Sequence, residues 1–175
     1  TDLYVGGYFR FAGGIEVNNV ARWNGSAWSA PGNGAGLFPV DRVNALAADM
    51  GDLYVGGEFT EASGVVANFI ARWDGALWNS VGTGSGNGVV GAVHAAILIG
   101  PDLYVGGEFT QVGGTTARNI AKWDGSTWSS LGLGIGDAAG FSGVNAIVAI
   151  GSSLYVCGYF NFAGGLPANN IARWD

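Results

Sequence analysis

Charge is scarce in this 175-residue chain: only 11% of its residues are Asp, Glu, Lys or Arg, against about 25% in ordinary soluble domains. Most of the chain is therefore expected in buried positions or tight turns. Basic residues are the scarcest charges, with 7 Lys and Arg against 13 Asp and Glu and a net charge of -6. Nucleic-acid binding needs a basic stripe to displace counterions from phosphates, so no nucleic-acid partner is expected. The single cysteine, Cys157, excludes an internal disulfide. The single histidine, His94, leaves no His/Cys set for a transition metal. No run of 18 apolar residues is present, so no membrane-spanning helix is expected. Nor does any segment hold a helical period, and 33 glycines would weaken every helix interior.

What the chain has is a repeat. Leu-Tyr-Val starts at Leu3, Leu53, Leu103 and Leu154, in steps of 50, 50 and 51. A tryptophan follows twenty positions later, at Trp23, Trp73, Trp123 and Trp174, and a second one at Trp28, Trp78 and Trp128. Periods of this length mark propellers, solenoids and arrays. Each period reads as four strands. In the third copy, the second strand is Asp102 to Phe109, and a linker with Gly113-Gly114 at its turn runs to Arg118. The third strand is Asn119 to Trp123 and the fourth starts at Ser126. Between them, Asp124-Gly125 reads as a two-residue hairpin turn, both residues at positive φ. A glycine-rich loop then leads to the first strand of the next unit, Val144 to Ala149.

Four antiparallel strands in about 50 residues predict one blade of a β-propeller. The second strand lacks polar alternation, so both faces of its sheet call for burial, and stacked blades supply it. Each tryptophan buries about 150–250 Å², and loss of Trp73 or Trp123 is expected to disrupt packing rather than activity. The fold class expected is all-β: a propeller segment of about 3.5 four-stranded antiparallel blades over residues 1–175. The chain opens at the second strand of one unit and closes after the third strand of another. It is expected to be part of a larger propeller, or to be completed by self-association.

An apolar strand ending in Gly56-Gly57 or Gly106-Gly107, an aromatic closing the third strand (Trp73, Trp123) and a Trp opening the fourth (Trp78, Trp128) resemble the kelch repeat of galactose-oxidase-type propellers. The pattern is closer still to the LYVGGxF…ARWDGxxW repeats of predicted bacterial surface proteins. That resemblance implies a secreted or cell-surface scaffold and carries over no active site.

In such an arrangement the long loops share one end of the sheets. Loops joining the fourth strand of one unit to the first of the next differ most between copies, and rigid scaffolds present binding residues on such loops. Phe38, Asp41 and Arg42 in one loop, with Asp137 and Phe141 in another, are the candidate binding residues. His94 fills the slot of Asn44 and Asn145 and is expected to be a structural polar residue beside a central channel. Cys157 occupies the slot of Gly6, Gly56 and Gly106 and is expected to be a small packing residue. Cross-strand pairing is expected to account for Glu58 and Glu108 together with Arg72 and Lys122. No catalytic residue, metal or cofactor is expected. The function expected is a non-catalytic binding or structural module, with a protein or glycan ligand. The alternatives are a lectin-like propeller and the non-catalytic portion of a larger enzyme.

Overall fold

The computed structural model describes residues 2–36, 41–49, 51–83, 87–137 and 140–175. Among these the chain is all strand and turn, with no helix. The repeat produces four principal antiparallel sheets. The second is a meander of Arg42–Ala48, Leu53–Glu58, Ile70–Trp73 and Trp78–Ser80, hydrogen-bonded in chain order. The third repeats it with Val89–Ile99, Asp102–Val112, Ile120–Trp123 and Trp128–Ser130. The first sheet holds Leu3–Gly6, Val20–Trp23 and Trp28–Ser29; the fourth holds Gly143–Ile150, Ser153–Tyr159 and Ile171–Trp174. The β-branched and aromatic strand cores and the 50-residue spacing thus yield the strand order that the sequence predicts.

The sheets pack side by side through buried apolar residues. One cluster joins Tyr54 and Ile70 of the second sheet to Val93, Leu103 and Val105 of the third, and another places Ile120 against Val144 and Val156 of the fourth. Tryptophans fasten the array. Trp73 and Trp78 stand opposite each other with ring centroids 5.5 Å apart, and Trp123 and Trp128 at 5.3 Å. The second of each pair also reaches backwards by one unit: Trp78 Nε1–H donates to Pro31 O at 2.9 Å, and Trp128 Nε1–H to Val81 O at 3.0 Å. Each indole is thereby buried with its one polar group satisfied, as buried tryptophans require.

The Gly-Gly pair has two separate tasks. A Cβ on Gly106 would lie 2.4 Å from Val144 Cγ1, and one on Gly56 2.5 Å from Val93 Cγ1, so the first glycine makes room for the next sheet's valine. A Cβ on Gly107 would lie 2.0 Å from Ala92 O, the carbonyl of the paired strand. That close approach comes from a β-bulge that recurs in every complete first strand, between Val43 and Ala45, Val93 and Ala95, and Val144 and Ala146. The unpaired residue of each bulge is Asn44, His94 or Asn145. Cys157 takes the first-glycine slot of the fourth sheet and is exposed, no further principal sheet lying beside it among the described residues.

Two turns differ from their sequence reading. The Asp124-Gly125 connection is a four-residue loop, because Trp123 pairs with Trp128 and Asp124 N–H donates to Thr127 O. Only Gly125 has positive φ, at 94°. Asp124 stays at negative φ because its Oδ1 accepts the N–H groups of Ser126 and Thr127 at 2.8 and 2.7 Å, an Asx arrangement that sets the turn from the side chain. The two-residue turn with paired positive φ sits instead in the linker. There Ala12/Ile15, Ala62/Val65, Val112/Thr115 and Ala163/Leu166 close small hairpins. At one of these turns, Ser63 and Gly64 have φ of 50° and 84°, the geometry of a type I′ turn.

The Asx loops make an acid-sensitive contribution. Backbone donors to Asp124 and to Asp74 hold both carboxyls below the ordinary aspartate value of 3.8. A depressed carboxylate stabilises the fold above its unfolded pKa, and that contribution disappears as pH falls through the folded value. The Asp74→Asn/Asp124→Asn double variant will therefore show a flatter loss of stability between about pH 5 and pH 2 than the parent. Asn24 already serves the first unit, its Oδ1 accepting from Ser26 and Ala27 N–H at 2.9 Å. Denaturant melts across that pH range check this; identical acid slopes would refute it.

Candidate functional site

The linker hairpins and the long inter-unit loops gather at one end of the sheets, and the tight four-residue loops lie at the other. At the loop end, between the third and fourth sheets, is a cleft of about 460 Å³. Its walls come from Glu108 and Phe109 of the third sheet, Arg118 and Asn119 entering the next strand, Asp137, Phe141 and Ser142 of the inter-unit loop, and Tyr159 of the fourth sheet. A second cleft of about 520 Å³ shares Arg118, Gly136 and Asp137 with the first and extends past Leu133 to Phe162. Together the two make a groove whose midpoint is Arg118 and Asp137.

Local folding positions each group. Asn119 has φ of 60° and is buried. Its Oδ1 accepts Phe109 N–H at 3.1 Å, and its Nδ2 donates to Ile135 O at 2.9 Å and Ser142 Oγ at 2.7 Å. The floor of the cleft is thus tied to both the strand and the loop that forms its rim. Tyr159 donates its phenolic proton to Glu108, and that bond, with the carboxylate's charge, pushes the tyrosine up to about 12. Glu108 also takes His94 Nε2 at 3.3 Å, while His94 Nδ1 meets Asn44 Nδ2 at 3.3 Å. Because the amide nitrogen can only donate, Nδ1 is the acceptor and the proton resides on Nε2. A polar row therefore crosses three adjacent sheets, from the bulge residues Asn44 and His94 to Glu108 and Tyr159. His94 is the structural polar residue that the repeat slot predicts.

Two polar groups in the groove are left over. Asp137 Oδ1 is buried without a hydrogen-bond partner. Arg118 is exposed and forms no ion pair among the described residues. The aromatic residues that flank them are open: Phe141 is 79% exposed and Tyr159 40%.

Of the five residues singled out in the sequence, Asp137 and Phe141 come together in this cleft. Phe38 lies outside the described residues. Asp41 is buried against Gly36 rather than offered to a ligand, since a Cβ on Gly36 would fall 2.5 Å from its own. Arg42 pairs with Glu58 at 3.0 Å. Both lie where the first inter-unit loop enters the second sheet, with Arg42 opening its first strand, and neither lines this cleft. The expected pairing of Glu58 and Glu108 with Arg72 and Lys122 is also corrected. Arg72 and Lys122 bond Asp52 and Asp102 at 2.9 and 3.0 Å, at the opposite end of the second strand from Glu58 and Glu108.

Sequence reasoning missed Glu108, Arg118, Ser142 and Tyr159. Arg118 carried a readable signal, because its slot is asparagine in every other copy: Asn18, Asn68 and Asn169. In two of those copies the amide closes the inter-unit loop, Asn18 Nδ2 to Asn33 O at 2.9 Å and Asn68 Nδ2 to Asn87 O at 3.0 Å. The corresponding loop position beside Arg118 is the exposed Leu133. No known protein family matches the chain, and the curated proteins contain no match to it.

Proposed function

We propose that this chain forms part of a kelch-like β-propeller acting outside the cell as a non-catalytic binding and structural module. The observation carrying this reading is the contact between bulge residues of neighbouring sheets. Asn44 Nδ2 lies 3.4 Å from Val93 O and 3.3 Å from His94 Nδ1, so equivalent first strands face one another. Repetition of that contact around an axis places the first strands at the centre, as in a propeller. The surface location rests on the resemblance to bacterial surface repeats, and the remaining blades come from a parent chain or from self-association. The protein's work on this reading is to hold a ligand on the loop end of a rigid stack, with no bond made or broken.

Electron micrographs of the protein as its own cells produce it provide the test. Discs with a central channel are expected, together with labelling of intact cells by a membrane-impermeant reagent. A straight stack of sheets, or protein protected inside the cell, would overturn the reading.

A further inference from the structure

We propose that the groove between the third and fourth sheets is a saccharide site, at the junction where Arg118 stands in place of the asparagine whose side chain bonds the loop in the first two units. This inference rests on the reading of the protein as a binding module and supplies its ligand class.

The first and second inter-unit loops are sealed by an asparagine side chain bonded to a loop carbonyl. At the third, an exposed arginine stands in that position and the loop residue beside it is an exposed leucine. What remains there is a groove with a cleft of about 460 Å³ on one side of Arg118 and Asp137 and about 520 Å³ on the other, each within the roughly 300–1,000 Å³ of small-ligand sites. Its free chemistry is mixed. Asp137 Oδ1 is a buried acceptor without a donor, and a buried polar atom in that state costs free energy until something bonds to it. Arg118 is a planar donor that wants acceptors. Phe141 presents an open aromatic face beside them.

One ligand class meets all three demands. A pyranose hydroxyl both donates and accepts, so adjacent hydroxyls can satisfy Asp137 and Arg118 together, while the C–H face of the ring lies on Phe141. A cationic side chain would suit Asp137 but would be repelled by Arg118. An anionic ligand would suit Arg118 but would meet both Asp137 and Glu108. Neutral sugar avoids either conflict, and the two connected clefts fit a short oligosaccharide better than a single ring.

The folded chain is to be screened on an array of neutral oligosaccharides, with hits titrated by calorimetry. Saturable binding is expected. Phe141→Ala and Arg118→Asn should each weaken it on the order of tenfold; Arg118→Asn introduces the residue other copies carry, so folding is retained. Leu77→Ala, at the opposite end of the sheets, should leave affinity unchanged. Circular dichroism of each variant verifies the fold. Absence of any glycan binding by folded protein overturns the proposal, as does binding indifferent to both groove variants, or preferential binding of a lysine-rich peptide in the groove. Glycan failure with disc-shaped particles in micrographs removes only the saccharide site. A straight stack that still binds glycan removes only the propeller.

Discussion

Replacing Trp128 by alanine is expected to cost about 3–5 kcal/mol, the range for deleting a buried large aromatic. At about 2–4 °C per kcal/mol for a chain of this size, the melting temperature would fall by roughly 6–20 °C. The indole is 9% exposed, lies against Trp123 at 5.3 Å, and bonds Val81 O in the preceding inter-unit loop. Its removal therefore empties a cavity and orphans a carbonyl at the junction of two sheets. Trp128→Phe separates these contributions. It keeps one aromatic ring and deletes the donor with the remainder of the indole, so its loss should stay below that of alanine, at about 1–3 kcal/mol, the penalty for one unsatisfied buried group. Denaturant unfolding of both variants checks the prediction. Equal destabilisation by the two would mean that the hydrogen bond, not the packing, dominates.

Gly107→Ala should be nearly as damaging although it adds one carbon. The new Cβ would sit 2.0 Å from Ala92 O and 3.0 Å from Val93 Cα. These are main-chain atoms in the adjoining strand and cannot move aside as a side-chain tip can. Overpacking typically costs about 1–3 kcal/mol, and this substitution belongs at or beyond the top of that range because the bulge at His94 must be rebuilt. A contrast at the neighbouring slot sharpens the test. Gly106→Cys should destabilise strongly, because Val144 Cγ1 would stand 2.4 Å from its Cβ. Cys157→Gly, at the same repeat position, should change stability little, because that cysteine is exposed. Thermal melts of the three variants settle the order. A benign Gly107→Ala would show that the strands can part without loss.

The strand lattice was legible because one physical demand repeats: apolar second strands need cover on both faces, and the tryptophans mark its spacing. Turn chemistry was less so. Asp124-Gly125 carries the usual two-residue hairpin signature, but the carboxylate prefers to cap two N–H groups, which lengthens the loop to four residues. The paired positive φ went to Ser63-Gly64 and its counterparts, which the linker reading took as a plain turn. Of the groove, Asp137 and Phe141 were legible because their loop departs from the repeat. Glu108 and Tyr159 were not. They occupy one slot in successive copies, and nothing in a linear sequence says that those copies meet face to face. The bulge was hidden too, since the sequence shows a regular Val-Asn-Ala or Val-His-Ala alternation where the backbone carries an extra residue.

In a stack whose main contacts, among the described residues, join neighbouring units, stability is close to a sum of unit and junction contributions. The amide latch at Asn18 and Asn68 is therefore a local lock, and its loss beside Arg118 leaves the other junctions untouched. Such a molecule can alter one seam at a time, trying new chemistry in a single furrow while its siblings keep the array folded. Identical repeats provide redundancy; the one that breaks ranks acquires an address.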